Sequence, residues 1–131
     1  MNSKKNLKEL LEAGLIIQAP GAYNALTAKI IEDQGFNAVY ITGYGTSAAN
    51  FGLPDIGLLT MTEMVENAKR IVDAVDLPVI ADADTGYGNP INITRTVQEY
   101  EKVGVSAIHI EDQTWPKRCG HMEGKAIIPQ E

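Results

Sequence analysis

Short apolar runs alternate with amphipathic stretches along the whole chain, and the alternation predicts strands and helices in turn. Leu7, Leu10 and Leu11 recur at helical spacing over 6–13, with Gly14 as a stop. The run Leu15-Ile16-Ile17, ended by Pro20-Gly21, reads as a first strand. A helix follows over 22–34, with Leu26, Ile30 and Ile31 on one face and Gly35 at its left-handed end. The run 38–41 is a second strand, and a long glycine-containing loop covers 42–59. Thr60 and Glu63 have capping-box spacing. Behind them Met64, Val65, Ala68, Ile71, Val72 and Val75 form a wide apolar stripe. A third strand begins over 78–81. Asn92 is the expected cap of the next helix, which has Ile93, Val97 and Tyr100 on one side and ends at Gly104. The fourth strand is 107–110. At the end, 128–131 has proline in the first position of an expected helix.

The segments 35–41 and 104–110 echo one another. Each opens on a helix-ending glycine and runs into a buried strand that starts with alanine. Repeated strand–helix units with near-continuous apolar strands imply an α/β fold, a parallel sheet covered by helices. Chemistry in such folds sits at the C-terminal ends of the strands, where the long loops are. A closed (β/α)8 barrel takes about 250 residues. With 131 residues and four strands, the whole chain reads as one domain, the N-terminal half of a TIM-type barrel.

Composition narrows the partners. A content of 44% hydrophobic and 21% charged residues suits a folded soluble domain. No apolar run approaches the roughly 18 residues of a membrane span, so no membrane is expected. The net charge of -6, with no basic stripe, excludes nucleic acid as a natural partner. One cysteine forms no internal disulfide, which fits a reducing cytoplasm.

Two segments concentrate chemistry. In 82–88, Asp82 and Asp84 are two apart on a strand end and so face one way. Buried carboxylates are costly unless paired, and a hard divalent cation removes that cost. Asp-x-Asp by itself also serves structural pairing, but Glu111 leaves the next strand at the same level and can be the third acid. In 117–121, Lys117 and Arg118 flank the only thiol, Cys119, with Gly120 and His121 next. Fixed positive charge favours the thiolate, so Cys119 can be a nucleophile or a proton donor. Thr42, Gly43 and Tyr44 end the second strand, where backbone N–H groups can meet a carboxylate or phosphate. Asp55 either covers the pocket or makes a turn. His109 reads as a structural strand residue, Trp115 and Pro116 as packing, and Tyr87 as a pocket wall.

These segments, with 19–23, 40–45, 53–55, 110–113 and 117–125, together resemble the phosphoenolpyruvate mutase/isocitrate lyase superfamily over nearly the whole chain. The Lys-Arg-Cys-Gly-His run is similar to that of the 2-methylisocitrate lyase branch, which also resembles carboxyvinyl-carboxyphosphonate phosphorylmutases. The resemblance implies Mg2+ (or Mn2+) held by Asp82, Asp84 and Glu111. It implies substrate carboxylate contacts from Thr42, Gly43 and Tyr44, and a gating segment containing Asp55. It implies a catalytic loop of Lys117, Arg118, Cys119, Gly120 and His121. The implied activity is carbon–carbon cleavage of a small 2-hydroxy or 2-oxo di- or tricarboxylate through a metal-stabilised enolate, with Cys119 as proton donor. A phosphonomutase and an oxaloacetate decarboxylase share the same metal site and stand as alternatives. Tyr44 departs from the small residue usual in methylisocitrate lyases and narrows the pocket. The barrel of the family continues with four more strands. The chain is therefore expected to self-associate, to require a C-terminal half, or to be inactive alone.

Overall fold

A computed structural model describes residues 7–130. Four parallel strands form one sheet in the order β1-β2-β3-β4: β1 Gly21–Ala22, β2 Val39–Ile41, β3 Val79–Asp82 and β4 Ala107–His109. Tyr40 is in register with Gly21 and with Ile80, and Asp82 with His109. Helices α1 Leu7–Glu12, α2 Ala25–Asp33, α4 Met61–Ala74 and α5 Pro90–Lys102 complete the strand–helix units, and a short α3 Gly43–Thr46 follows β2. This is half of a (β/α)8 barrel. Among the described residues no helix is long and apolar enough to cross a membrane.

The core lies between the sheet and its helices. Val39, Ile41, Val79 and Ala81 point from the strands toward Met64, Ala68, Ile71 and Val72 of α4, all nearly or fully buried. Burial of this stripe drives α4 onto the sheet. The alternate strand residues, Tyr40, Ile80 and Asp82, face the opposite, inner side of the half barrel. His109 is exposed rather than a core residue, because nothing among the described residues covers the inner face beside the edge strand β4. Its ring instead stacks at a tilt on Tyr40, with centroids 5.3 Å apart.

Several expected boundaries move, each for a local reason. Strand β1 is at 21–22 and not at 15–17. Leu15 and Ile16 are exposed, and their segment is tied by the Asn37 side chain instead of by a ladder. Asn37 donates to the Ile16 carbonyl and accepts from Gln18 N–H. Asn24 caps α2 in a capping box with Thr27, which turns Ala28 and Ile31 inward and leaves Leu26 and Ile30 exposed. The expected loop after β2 contains α3 and a π-helical turn, Ser47–Phe51, that ends on left-handed Gly52. The cap of α5 is Asn89, with Pro90 at the first helical position and Asn92 completing the capping box; Tyr100 is buried as expected, but Val97 is exposed and Thr96 is buried in its place. Residues 128–130 form no helix, and Asn6 and Glu131 lie outside the described residues. Ile128 N–H instead donates to Asp112 O, and Gln113 bridges Ile127 antiparallel. The Thr60–Glu63 capping box and the glycine ends at Gly35 and Gly104, both at positive φ, are as the pattern predicts.

Candidate active site and metal centre

Strand β3 ends on Asp82, and the chain turns immediately. Asp84 has φ 50°, in the left-handed region that costs a residue with a Cβ about 1–2 kcal/mol. Strand pairing nevertheless continues past the ends of β3 and β4. Ala83 N–H donates to His109 O at 2.9 Å, and Glu111 N–H to Asp84 O at 2.7 Å. This pairing brings Glu111 level with the two aspartates. One oxygen from each of Asp82, Asp84 and Glu111 lies within 4.8 Å of the others. The convergence expected of these acids is therefore present, produced by a turn and a continued ladder rather than by strand alternation alone.

Each acid is oriented differently. Asp82 accepts Gly43 N–H at 3.1 Å on one oxygen and Asp84 N–H at 2.9 Å on the other. Gly43 thus spends its N–H on a carboxylate of the protein. Thr42 caps α3, accepting Gly45 N–H at 3.0 Å, so the turn at 42–45 serves first to hold Asp82. A Cβ on Gly43 would lie 2.5 Å from Asp82 Oδ2. Gly43→Ala should therefore displace the Asp82 carboxylate, lower stability by about 1–3 kcal/mol and weaken divalent-cation binding. Urea midpoints and Mn2+ titration check this, and an unchanged cation affinity would count against it.

Asp84 pairs with Lys117, whose ammonium also meets Asp55 at 2.6 Å. The Lys117 side chain is 1% exposed, and Asp55 and Asp84 are 9% and 14% exposed. Burial pushes the Asp84 carboxyl up to about 6, against the pull of the Lys117 ammonium. For Lys117, burial lowers the pKa, but its hydrogen bonds to Asp55 and Asp84 outweigh this and hold it well above the ordinary lysine value. Tyr40, on the inner face, is pushed up to about 12 by burial and by the charges of Asp82 and Glu111.

The loop after β4 crosses this cluster. Asp112–Thr114 pairs antiparallel with Ala126–Ile128, so 115–125 returns to its own start. Within it, Cys119 is buried and its Sγ is 3.7 Å from His121 Nδ1. The two cations next to it in sequence have other partners. Lys117 is committed to Asp55 and Asp84, and Arg118 Nη1 donates to Glu123 O at 3.0 Å. The Gly120 carbonyl accepts from Lys125 at 2.8 Å. Tyr44, Pro54, Asp55, Cys119, His121 and Met122 line one cavity of about 410 Å³. A second, of about 340 Å³, lies against Asp84, Lys117, Tyr87 and Trp115. Trp115 Nε1–H donates to Thr85 Oγ1 at 3.0 Å, which ties the loop to the end of β3. Tyr87 and Tyr100 share their hydroxyls at 3.1 Å, and Tyr100 donates to Asp82 O.

The donor set fits a hard divalent cation. It is three carboxylates with only oxygen to offer, their atoms within 4.8 Å of one another, and oxygen ligands are what Mg2+ takes alongside waters and substrate oxygens. Asp84 Oδ1 is buried and meets the Lys117 ammonium as an ion pair.

The model of the phosphoenolpyruvate phosphomutase family matches residues 7–129. The chain belongs to this family. Its relatives include 2,3-dimethylmalate lyase of Eubacterium barkeri, 57% identical over all of this chain and 45% of that protein. A probable 2-methylisocitrate lyase of Corynebacterium glutamicum is 46% identical over 95% of this chain and 40% of its own length. Among solved structures, phosphonopyruvate hydrolase in complex with oxalate and Mg2+ superposes with a TM-score of 0.83 at 38% identity, over 89% of this chain and 41% of that one. The chain spans less than half the length of the curated relatives it matches. The relatives it resembles include lyases, a phosphorylmutase and hydrolases of the phosphoenolpyruvate mutase/isocitrate lyase superfamily.

Sequence reading identified the acids and the loop but not what connects them. Lys117, expected in the catalytic loop, holds the carboxylates of Asp55 and Asp84. Gln113 has no role in the sequence reading beyond its place in the 110–113 motif, although its side chain reaches both Glu111 and Arg118. Its only sequence mark is its place two residues after Glu111, which says nothing of a loop that folds back onto it.

Proposed function

We propose that the site performs Mg2+-dependent cleavage of a carbon–carbon bond in a small 2-hydroxy or 2-oxo di- or tricarboxylate, in the manner of a methylisocitrate or dimethylmalate lyase. The observation that carries this reading is the meeting of three carboxylates, Asp82, Asp84 and Glu111, beneath a loop that places a buried thiol on an adjoining cavity. A bound cation supplies Lewis acidity to the oxygens of the substrate and stabilises charge that develops there. Asp82, fixed by two N–H groups, and Asp84 and Glu111 would hold it.

A substrate held at the three acids would have the cavity lined by Tyr44 and Cys119 for its remaining chain. The 2-hydroxyl of the substrate gives up its proton to solvent and its C–O bond becomes a carbonyl; the electron pair of the breaking C–C bond passes to the departing fragment, whose carbon takes a proton from the Cys119 thiol. His121, at hydrogen-bonding range of Sγ, returns a proton to the sulfur or orients it. The exposed Arg118 is available to a distal carboxylate of the substrate. Closure of the loop excludes water from the carbanion. The Tyr44 phenol lies on the Cys119 cavity and limits the size of the departing fragment, which favours smaller substrates. Incubation with Mg2+ and either 2,3-dimethylmalate or 2-methylisocitrate should release pyruvate, and chelation should stop it. Release that is indifferent to chelation, or no release in any assembly state, would defeat this reading.

The sheet favours a second element of the proposal. Strands β1 and β4 are its outer members, and Tyr40, Asp82 and His109 face an inner side left open among the described residues. A second half barrel, from another copy or a separate C-terminal half, would pair both edges and cover that face. Light scattering after size exclusion should give at least twice the chain mass; a monomer with a sharp melting transition would argue against it.

A further inference from the structure

The Gln113 amide joins two parts of the site. Arg118 N–H donates to Gln113 Oε1 at 3.0 Å, which fixes which end of the amide is oxygen. The NH2 end therefore donates, to Arg118 O at 2.9 Å and to the Glu111 carboxylate. Both amide hydrogens are used, and one lone pair of the oxygen. The side chain thus takes both backbone groups of the residue before Cys119 and gives its remaining donor to a candidate metal ligand. The Gln113 backbone is fixed in turn by its antiparallel bridge to Ile127, with Thr114 N–H donating to Ala126 O at 2.8 Å. Glutamate would keep the acceptor and lose both donors. Lysine has no acceptor, and asparagine is one methylene shorter.

We propose that Gln113 is a positioning residue: it couples the carboxylate of Glu111 to the peptide of Arg118, so that the state of the metal ligand and the placement of Cys119 are set together. This rests on the reading of Glu111 as a ligand. Outer partners of ligating carboxylates tune metal affinity by about 10–100-fold, and a segment held by few bonds exchanges its amides by local opening.

The test uses the full chain and no substrate. Gln113→Met keeps the length and removes every hydrogen bond. It should speed hydrogen exchange at the Arg118 amide by at least about tenfold without Mg2+, leave Val39 and Ile41 unchanged, and weaken Mg2+ binding by calorimetry about tenfold. Gln113→Glu adds a carboxylate beside Glu111 and should instead tighten Mg2+ binding. Opposite signs in the two variants are not what a merely structural role produces. If Gln113→Met does not fold, Gln113→Glu alone carries the affinity test. Unchanged Arg118 exchange, or Mg2+ affinities that do not move or move together, overturns the coupling. Failure of the parent chain to bind Mg2+ overturns the metal reading and this proposal with it.

Discussion

Lys117→Met should destabilise the fold by about 3–5 kcal/mol at neutral pH. The ammonium is almost wholly buried and is shared by two carboxylates that are themselves nearly buried. Methionine matches the length of the lysine stem, so little packing is lost. What remains is two uncompensated acids in a place where a single one is already hard to ionise, as the raised Asp84 shows. A second substitution, Asp55→Asn, removes one of those stranded charges. The pair Lys117→Met/Asp55→Asn should therefore recover a large part of the loss, more than Asp55→Asn alone would lead one to expect. Urea unfolding of the two single variants and the double variant gives the coupling directly. Additive effects would mean that the buried ion pair is not what holds the loop down.

Cys119→Ser should lower turnover by about 10²–10⁴-fold, the range for losing a positioned general acid. Serine fits where the thiol sat, so the urea midpoint should move little. A hydroxyl is a far weaker acid than a thiol and delivers its proton to a carbanion poorly. Cation affinity should be unchanged, because Cys119 touches His121 and none of the three acids. Turnover measured at saturating Mg2+, with Mn2+ titration alongside, separates the two effects. Activity within about threefold of the parent would remove Cys119 from the role of proton donor.

How far the sequence reached depends on the range of the forces involved. The capping box at Thr60 and the apolar stripe of α4 are local and were readable, as were the glycine ends at Gly35 and Gly104. The first strand was not. Three apolar residues at 15–17 have no period to distinguish them, and the choice was made by pairing with β2 through Pro20–Ala22 and by the Asn37 side chain. Two asparagines, Asn89 and Asn92, both fit a cap, and Pro90 decides between them once the helix start is seen. In the site, acids two apart at a strand end were a legible sign. Their partners were not, because Lys117 meets Asp55 across 62 positions of chain and Asp84 only after the loop folds back.

Trp115 is the only tryptophan in the chain, two residues before Lys117, half open to solvent and anchored by its indole N–H to Thr85 at the end of β3. Its emission therefore comes from one place, the hinge between the loop and the acid cluster. Excitation at the red edge of the indole band avoids the five tyrosines, so a change in the solvent around that ring is read alone. If the loop closes as proposed, the unlabelled chain carries its own optical gauge of that movement, readable on the stopped-flow timescale.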